Sequence, residues 1–156
     1  MNTALEIIAK KLTARGATLA AAESCTGGTL AGTLTGVPGA SAFFRGGAVT
    51  YATETKTDVL GVPAELIARR GVVSAECAEA MARGAAEKFR ADFALSTTGV
   101  AGPTGGTDAA PVGTVFIGLR APWGTRSVRF FSAAGTREGI RRDAVEAALE
   151  MLAEAL

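Results

Sequence analysis

The segment Glu23-Ser24-Cys25-Thr26-Gly27-Gly28 holds the residue types best suited to chemistry: two adjacent nucleophiles, a carboxylate before them and two glycines behind them. It follows a small-residue run of strand length, Ala17 to Ala22, and precedes a stretch, Thr29 to Thr35, that can be helical. A polar turn between a strand and a helix favours an exposed nucleophile, and in open α/β sheets ligands bind in the crevice beyond the strand ends. The helix N-terminus offers unpaired N–H groups and a partial positive charge, which suit an anion or a developing oxyanion. The structural alternative is an ordinary N-cap, because Ser and Thr commonly stand before helices.

The chain has no histidine, which removes the commonest general base and the commonest transition-metal ligand together. A Ser24 nucleophile must therefore pass its proton to Lys, Tyr or a carboxylate. Lys10 and Lys11 fall on the polar side of the first helix and Lys88 near the end of another, whereas Lys56 follows the strand that ends in Tyr51. To act near neutral pH, Lys56 must lose about 3 pKa units from its reference of ~10.4, or about 4 kcal/mol of differential destabilisation of its charged form. Burial beside an arginine would supply that; a solvent-facing place on a short helix is the alternative. Cys25 and Cys77 are the only two cysteines. They are too few for a structural zinc site, so free thiols and no metal are expected.

Gly102-Pro103-Thr104-Gly105-Gly106-Thr107 matches neither the Walker A spacing nor the dinucleotide fingerprint, and no cofactor is expected. Its glycines could still cradle one phosphate, with Arg137 or Arg141 adding charge-assisted bonds. A mobile loop and two solvated arginines is the alternative.

The elements that must position these groups follow from periodicity and punctuation. A helix is predicted from about Thr3 to Arg15, with capping-box spacing between Thr3 and Glu6 and Gly16 as C-cap. A strand is predicted over Phe43 to Tyr51, its glycines marking a bulge or close approach. Helical pieces follow over Thr53 to Leu60 and Pro63 to Arg70, then a helix from the Ser74 N-cap to about Phe89. Asp92 to Thr98 reads as a buried strand feeding the loop Gly99 to Asp108. Gly113 to Leu119 and Arg126 to Phe131 read as a hairpin, an antiparallel pair inside an α/β chain. The last helix is predicted from about Thr136 to Ala155, burying Ile140, Ala144, Ala148 and Met151.

A chain of 156 residues with 48% hydrophobic and 20% charged residues suits one domain with a sizeable core. The net charge of +1 argues weakly against nucleic acid or an anionic membrane surface as the main partner. No apolar run approaches the ~20 residues of a membrane span, and the start, Met1-Asn2-Thr3-Ala4-Leu5-Glu6, lacks the basic and apolar regions of a signal peptide. A soluble cytoplasmic protein is expected.

Taken in order, Ala22-Glu23-Ser24-Cys25-Thr26-Gly27-Gly28, Tyr51, Lys56, Leu60-Gly61-Val62, Val73-Ser74, Thr98-Gly99-Val100-Ala101-Gly102-Pro103-x-Gly105-Gly106 and Pro111-Val112-Gly113-Thr114-Val115 resemble the CinA C-terminal domain family. Stand-alone members of that family are nicotinamide-nucleotide amidases. The resemblance covers nearly the whole chain. It implies a single three-layer α/β/α domain around a mixed, mostly parallel sheet of about five strands. It also implies hydrolysis of the carboxamide of nicotinamide mononucleotide to nicotinate mononucleotide and ammonia. By position, Ser24 matches the nucleophile and Lys56 the base, with Tyr51 close to both. Glu23, Cys25, Thr26, Gly27, Gly28, Thr98, Gly99, Ala101, Gly102, Gly105, Gly106, Arg137 and Arg141 are the expected substrate-binding set. The family usually has Asn at the place of Thr53, Lys at Ala110 and Asp at Thr136, departures that bear on phosphate or ribose contacts.

The expected mechanism is acyl transfer. Neutral Lys56, directly or through Tyr51, takes the Ser24 proton, N–H groups near Gly27 and Gly28 hold the oxyanion, and the Gly102 loop with Arg137 or Arg141 binds the 5′-phosphate. The expected partners are a small-molecule pyridine nucleotide and further copies of the chain, without nucleic acid, membrane or cofactor. Two rivals stand beside it: a nitrilase-like trio of Cys25, Glu23 and Lys56, and a nucleotide-binding module without turnover.

Overall fold

The structure, a computed structural model, describes residues 3–156. Met1 and Asn2, part of the start that is read for a leader, lie outside the described residues. The helices are α1 (Thr3–Arg15), α2 (Thr29–Thr35), α3 (Thr53–Leu60), α4 (Ala64–Arg70), α5 (Ala75–Phe89) and α6 (Arg137–Ala155). The strands are β1 (Leu19–Glu23), β2 (Phe44–Val49), β3 (Phe93–Gly99), β4 (Thr114–Ala121) and β5 (Gly124–Phe131). A single 3-10 turn, Ala40–Ala42, precedes β2.

The sheet order is β2-β1-β3-β4-β5. β1 runs parallel to both β2 and β3, and only β4 is reversed, so the sheet is mixed with most strands pointing one way. Helices cover both faces, and two cores result. On one face Leu5, Ile8, Leu12, Leu30, Leu34, Ile140, Ala144 and Leu149 pack on Leu19, Ala21, Leu95, Ile117 and Leu119. On the other, Leu60, Val62, Cys77, Met81 and Ala85 pack on Ala20, Ala22 and Ala94. This double covering explains why β1 reads as an unbroken small apolar run with no polar alternation.

Strand ends shift by a residue or two from their sequence reading because pairing sets them. Thr18 is held outside the ladder by the Asp92 side chain (Thr18 N to Asp92 Oδ2, 2.9 Å), so β1 begins at Leu19. The expected irregularity in β2 is a register shift between Leu19 and Ala20, opposite Phe44 and Gly46. The β4–β5 connection is only Pro122-Trp123, because pairing continues to Ala121 and Gly124. Ser74 and Thr136 cap their helices through side-chain oxygens that accept from Cys77 N and Gly139 N, both at 3.1 Å. Thr136 thus performs the N-cap role open to an aspartate. No helix among the described residues is long and apolar enough to cross a membrane.

α3 carries Lys56 and lies very close to α5. A Cβ placed on Gly84 would stand 2.0 Å from the Leu60 carbonyl oxygen, so only glycine permits this approach. Gly84→Ala is expected to push α3 off α5, at an overpacking cost of about 1–3 kcal/mol. At roughly 2–4 °C per kcal/mol for a chain of this size, thermal melting should fall by about 2–12 °C. Gly32→Ala, which meets nothing within 4 Å on α2, should melt no lower than wild type. Equal melting of the two variants would contradict this packing.

Candidate active site

The carboxyl ends of the parallel strands β1, β2 and β3 supply the site, as the crevice rule for open α/β sheets leads one to expect. Ser24 follows the last residue of β1, and its N–H donates to Thr97 O of β3 at 2.9 Å. Thr50 N–H, just past β2, donates to Glu23 O at 2.8 Å, which ties the β2 exit to the same point. Thr50 and Tyr51 have left the ladder, and both carbonyls turn toward Lys56.

Lys56 is 1% exposed although it sits on a short helix. Its Nζ donates to Thr50 O at 2.6 Å and lies 3.1 Å from Ser24 Oγ and 3.5 Å from Tyr51 O. Burial pushes its pKa below the ordinary lysine value. No arginine contributes to that shift, so the expected arginine neighbour is replaced by desolvation alone. A neutral amine has two N–H donors and one lone pair. Two carbonyls and one serine hydroxyl fit that inventory, with the lone pair facing Ser24.

Glu23 is 1% exposed, and its carboxylate is saturated by neighbours. It accepts from Thr26 Oγ1 (2.6 Å), Leu30 N (2.8 Å) and Ala31 N (3.0 Å). Thr26, having donated its only hydroxyl proton, accepts from Thr97 Oγ1 at 2.7 Å. These bonds correct two expectations. Glu23 faces the start of α2 instead of a substrate, and the first N–H groups of α2 serve Glu23 instead of an oxyanion. Gly27 N–H is likewise committed, to Ser24 O at 3.0 Å.

Cys25 is 6% exposed, and burial raises its thiol to about 11, against a smaller downward pull from its own backbone N–H. A protonated thiol beside an occupied Glu23 carboxylate is poorly suited to the nitrilase-like trio. Cys77 is fully buried, and burial raises its pKa as well.

A cleft of about 290 Å³ opens over these groups, lined by Ser24, Cys25, Tyr51, Lys56, Thr98, Gly99, Ala101, Gly102, Gly105 and Arg137 among the expected residues. Val72, Val73, Val100 and Thr104 also line it. Val100 belongs to the loop motif but was given no place in the site, and Val72 was not singled out because it looks like a connector residue; Thr98 Oγ1, which donates to Val72 O at 2.7 Å, is what brings Val72 in. Arg137 bridges the cleft mouth, donating to Gly102 O and to Tyr51 Oη, both at 2.8 Å. The Tyr51 hydroxyl is therefore engaged with Arg137 instead of joining Ser24 to Lys56, which corrects the expected relay; the Tyr51 carbonyl is its contribution at the lysine.

Glu23, Thr26, Gly27, Gly28, Gly106 and Arg141 do not line the cleft. Gly106 packs against Val112, whose N would be 2.8 Å from an added Cβ. Arg141 grips the outside of the Ser24–Gly28 turn: Nε donates to Cys25 O (3.1 Å) and Nη2 to Thr26 O (2.9 Å).

The fold and the cleft define a three-layer α/β protein with a serine hydroxyl and a buried lysine amine facing one another at the ends of parallel strands. The chain belongs to the CinA family, whose model for the CinA C-terminal domain matches residues 1–156. It is 53% identical over 137 residues to a CinA-like protein of Geotalea daltonii, an alignment taking in 88% of this chain and 33% of that protein. The chain spans about a third of the length of such curated relatives. The competence/damage inducible protein CihA of Agrobacterium tumefaciens superposes with a TM-score of 0.93 at 40% identity, over 97% of this chain and 92% of that one. A competence-damaged protein (CinA) superfamily protein of Escherichia coli gives 0.94 at 33% identity, over 99% and 90%.

Proposed function

We propose that the chain is an amidohydrolase that converts nicotinamide mononucleotide to nicotinate mononucleotide and ammonia, with Ser24 as nucleophile and Lys56 as base. The observation that carries the chemistry is the buried Lys56 Nζ at 3.1 Å from Ser24 Oγ; the choice of substrate rests on the family resemblance. Lys56 takes the hydroxyl proton as Ser24 Oγ bonds the carboxamide carbon, and the carbonyl π pair moves onto its oxygen. That pair returns, the C–N bond breaks, and the Lys56 ammonium protonates the departing NH2 to give ammonia. Water then attacks the ester, Lys56 accepts its proton and returns one to Ser24 Oγ, and nicotinate mononucleotide leaves. Cytoplasmic residence, a homo-oligomeric state and independence of any cofactor go with this reading as expectations.

The deciding experiment is ammonia release from nicotinamide mononucleotide by the purified protein. A protein that binds the nucleotide without releasing ammonia is the non-catalytic module instead. Arg137 and the Gly102–Gly105 loop line the same cleft as Ser24 and Lys56, and we assign them to the 5′-phosphate. Charge-assisted bonds worth roughly 1.5–3 kcal/mol each make nicotinamide riboside at least about tenfold poorer in kcat/KM. Equal efficiency on the two compounds would take the loop and Arg137 out of the site.

A further inference from the structure

The negative charge that develops on the carboxamide oxygen needs a donor, and an account of the turn's N–H groups identifies it. Ser24 N–H is bound to Thr97 O, Gly27 N–H to Ser24 O, and Leu30 and Ala31 N–H to Glu23. Cys25, Thr26 and Gly28 N–H have no carbonyl, carboxylate or hydroxyl partner among the described residues, and of the three only Cys25, the residue after the nucleophile, whose N–H meets its own thiol, lines the cleft. A backbone donor with no oxygen partner in a residue only 6% exposed is rare, and its one contact is the weakly accepting Cys25 sulfur at the cleft. In a trans peptide the C=O and N–H point opposite ways, so turning Ser24 C=O toward Gly27 N–H directs Cys25 N–H to the other side.

What keeps the turn in this orientation is Arg141. Its guanidinium donates to the carbonyls of two successive residues, Cys25 and Thr26, and reaches Thr29 Oγ1 at 3.4 Å. Gly27, at φ +59°, lies beneath that guanidinium; an added Cβ would stand 3.0 Å from Nη2. With its fork on main-chain oxygens outside the cleft, Arg141 is poorly placed for the phosphate.

We infer that Cys25 N–H is the oxyanion donor of this site and that Arg141 is the positioning residue that holds it there. The inference rests on the amidase reading above and deepens it.

The test is a kcat and KM comparison for ammonia release from nicotinamide mononucleotide by wild type, Arg141→Ala, Arg141→Lys and Arg142→Ala, with thermal melting of each. Loss of one oxyanion donor typically costs 10²–10³ in kcat. Arg141→Ala should therefore lose about 100-fold in kcat while KM stays within about threefold and the pH profile keeps its shape. Arg141→Lys should recover part of the loss, and added guanidinium should partly restore Arg141→Ala; Arg142→Ala, at an exposed position, should match wild type. If Arg141→Ala does not fold, the kcat–KM split of Arg141→Lys decides. A KM rise of tenfold or more with kcat held, or an unchanged kcat, overturns the inference alone. A wild type that releases no ammonia removes the amidase reading and the inference with it.

Discussion

Ser24→Ala is expected to lower kcat by about three orders of magnitude or more while nicotinate mononucleotide binds within a few-fold of wild type. A covalent nucleophile acts in the transition state, so its removal leaves ground-state contacts with product in place. Cys25→Ala should keep most activity, because the Cys25 thiol is held protonated, at about 11, and Lys56 Nζ faces the serine instead. The assay is ammonia release with product binding measured by titration. The converse result, Cys25→Ala dead and Ser24→Ala active, would transfer the nucleophile to the thiol.

Lys56→Arg should be almost as damaging, at about 10³-fold, although it keeps the charge, because a guanidinium cannot give up its proton in this pH range. The same argument fixes the direction of the pH profile. Burial depresses the Lys56 pKa, so the neutral, proton-accepting form grows as pH rises, and kcat/KM should climb until the folded-state pKa is passed. Stability follows the same sign. Between the depressed folded-state pKa and the unfolded value of ~10.4 the unfolded chain binds more protons, so stability rises with pH across that window. Below the folded-state pKa the cost of burying the charged amine is present in full. Lys56→Met should lose both the activity and that slope. Wild-type turnover in Lys56→Arg, or kcat/KM falling from neutral to mildly alkaline pH, would remove Lys56 as the base.

Ser24 and Lys56 are legible in the sequence as candidates for different reasons. Ser24 announced itself locally, by a strand–turn–helix order that the structure keeps. The absence of histidine leaves lysine, tyrosine or a carboxylate as base, and it is the family resemblance that singles out Lys56; its burial is invisible because α3 looks like a solvated helix from its own residues. The amine turns inward to Thr50 O and Ser24 Oγ, contacts that lie outside the residues of α3. Glu23 misled for a physical reason: adjacency to a nucleophile says nothing about direction, and the last residue of β1 turns back onto the helix that follows. Arg137 and Arg141 are one helical turn apart on α6 and could not be told apart by spacing. One meets the Gly102 loop and Tyr51, the other the nucleophile turn, a division set by where α6 crosses the strand ends. The hairpin and the capped helices were legible because turn residues and caps are short-range signals.

The strand order divides the chain by sequence distance. β3, β4 and β5 are consecutive in sequence and side by side in space, whereas β1 must close a long loop to reach β3; the bond from Thr18 to Asp92 alone spans 74 residues. Loop closure is an entropic barrier paid before distant contacts return anything, so locally connected structure forms with less delay. The β3–β5 meander is the local half, and the strand that delivers Ser24 belongs to the distant half. Ser24 and Lys56 both come from the β1–β2–α3 segment, whereas Thr98 to Gly102 come from the end of β3, so the cleft they share exists only after β1 has paired with β3.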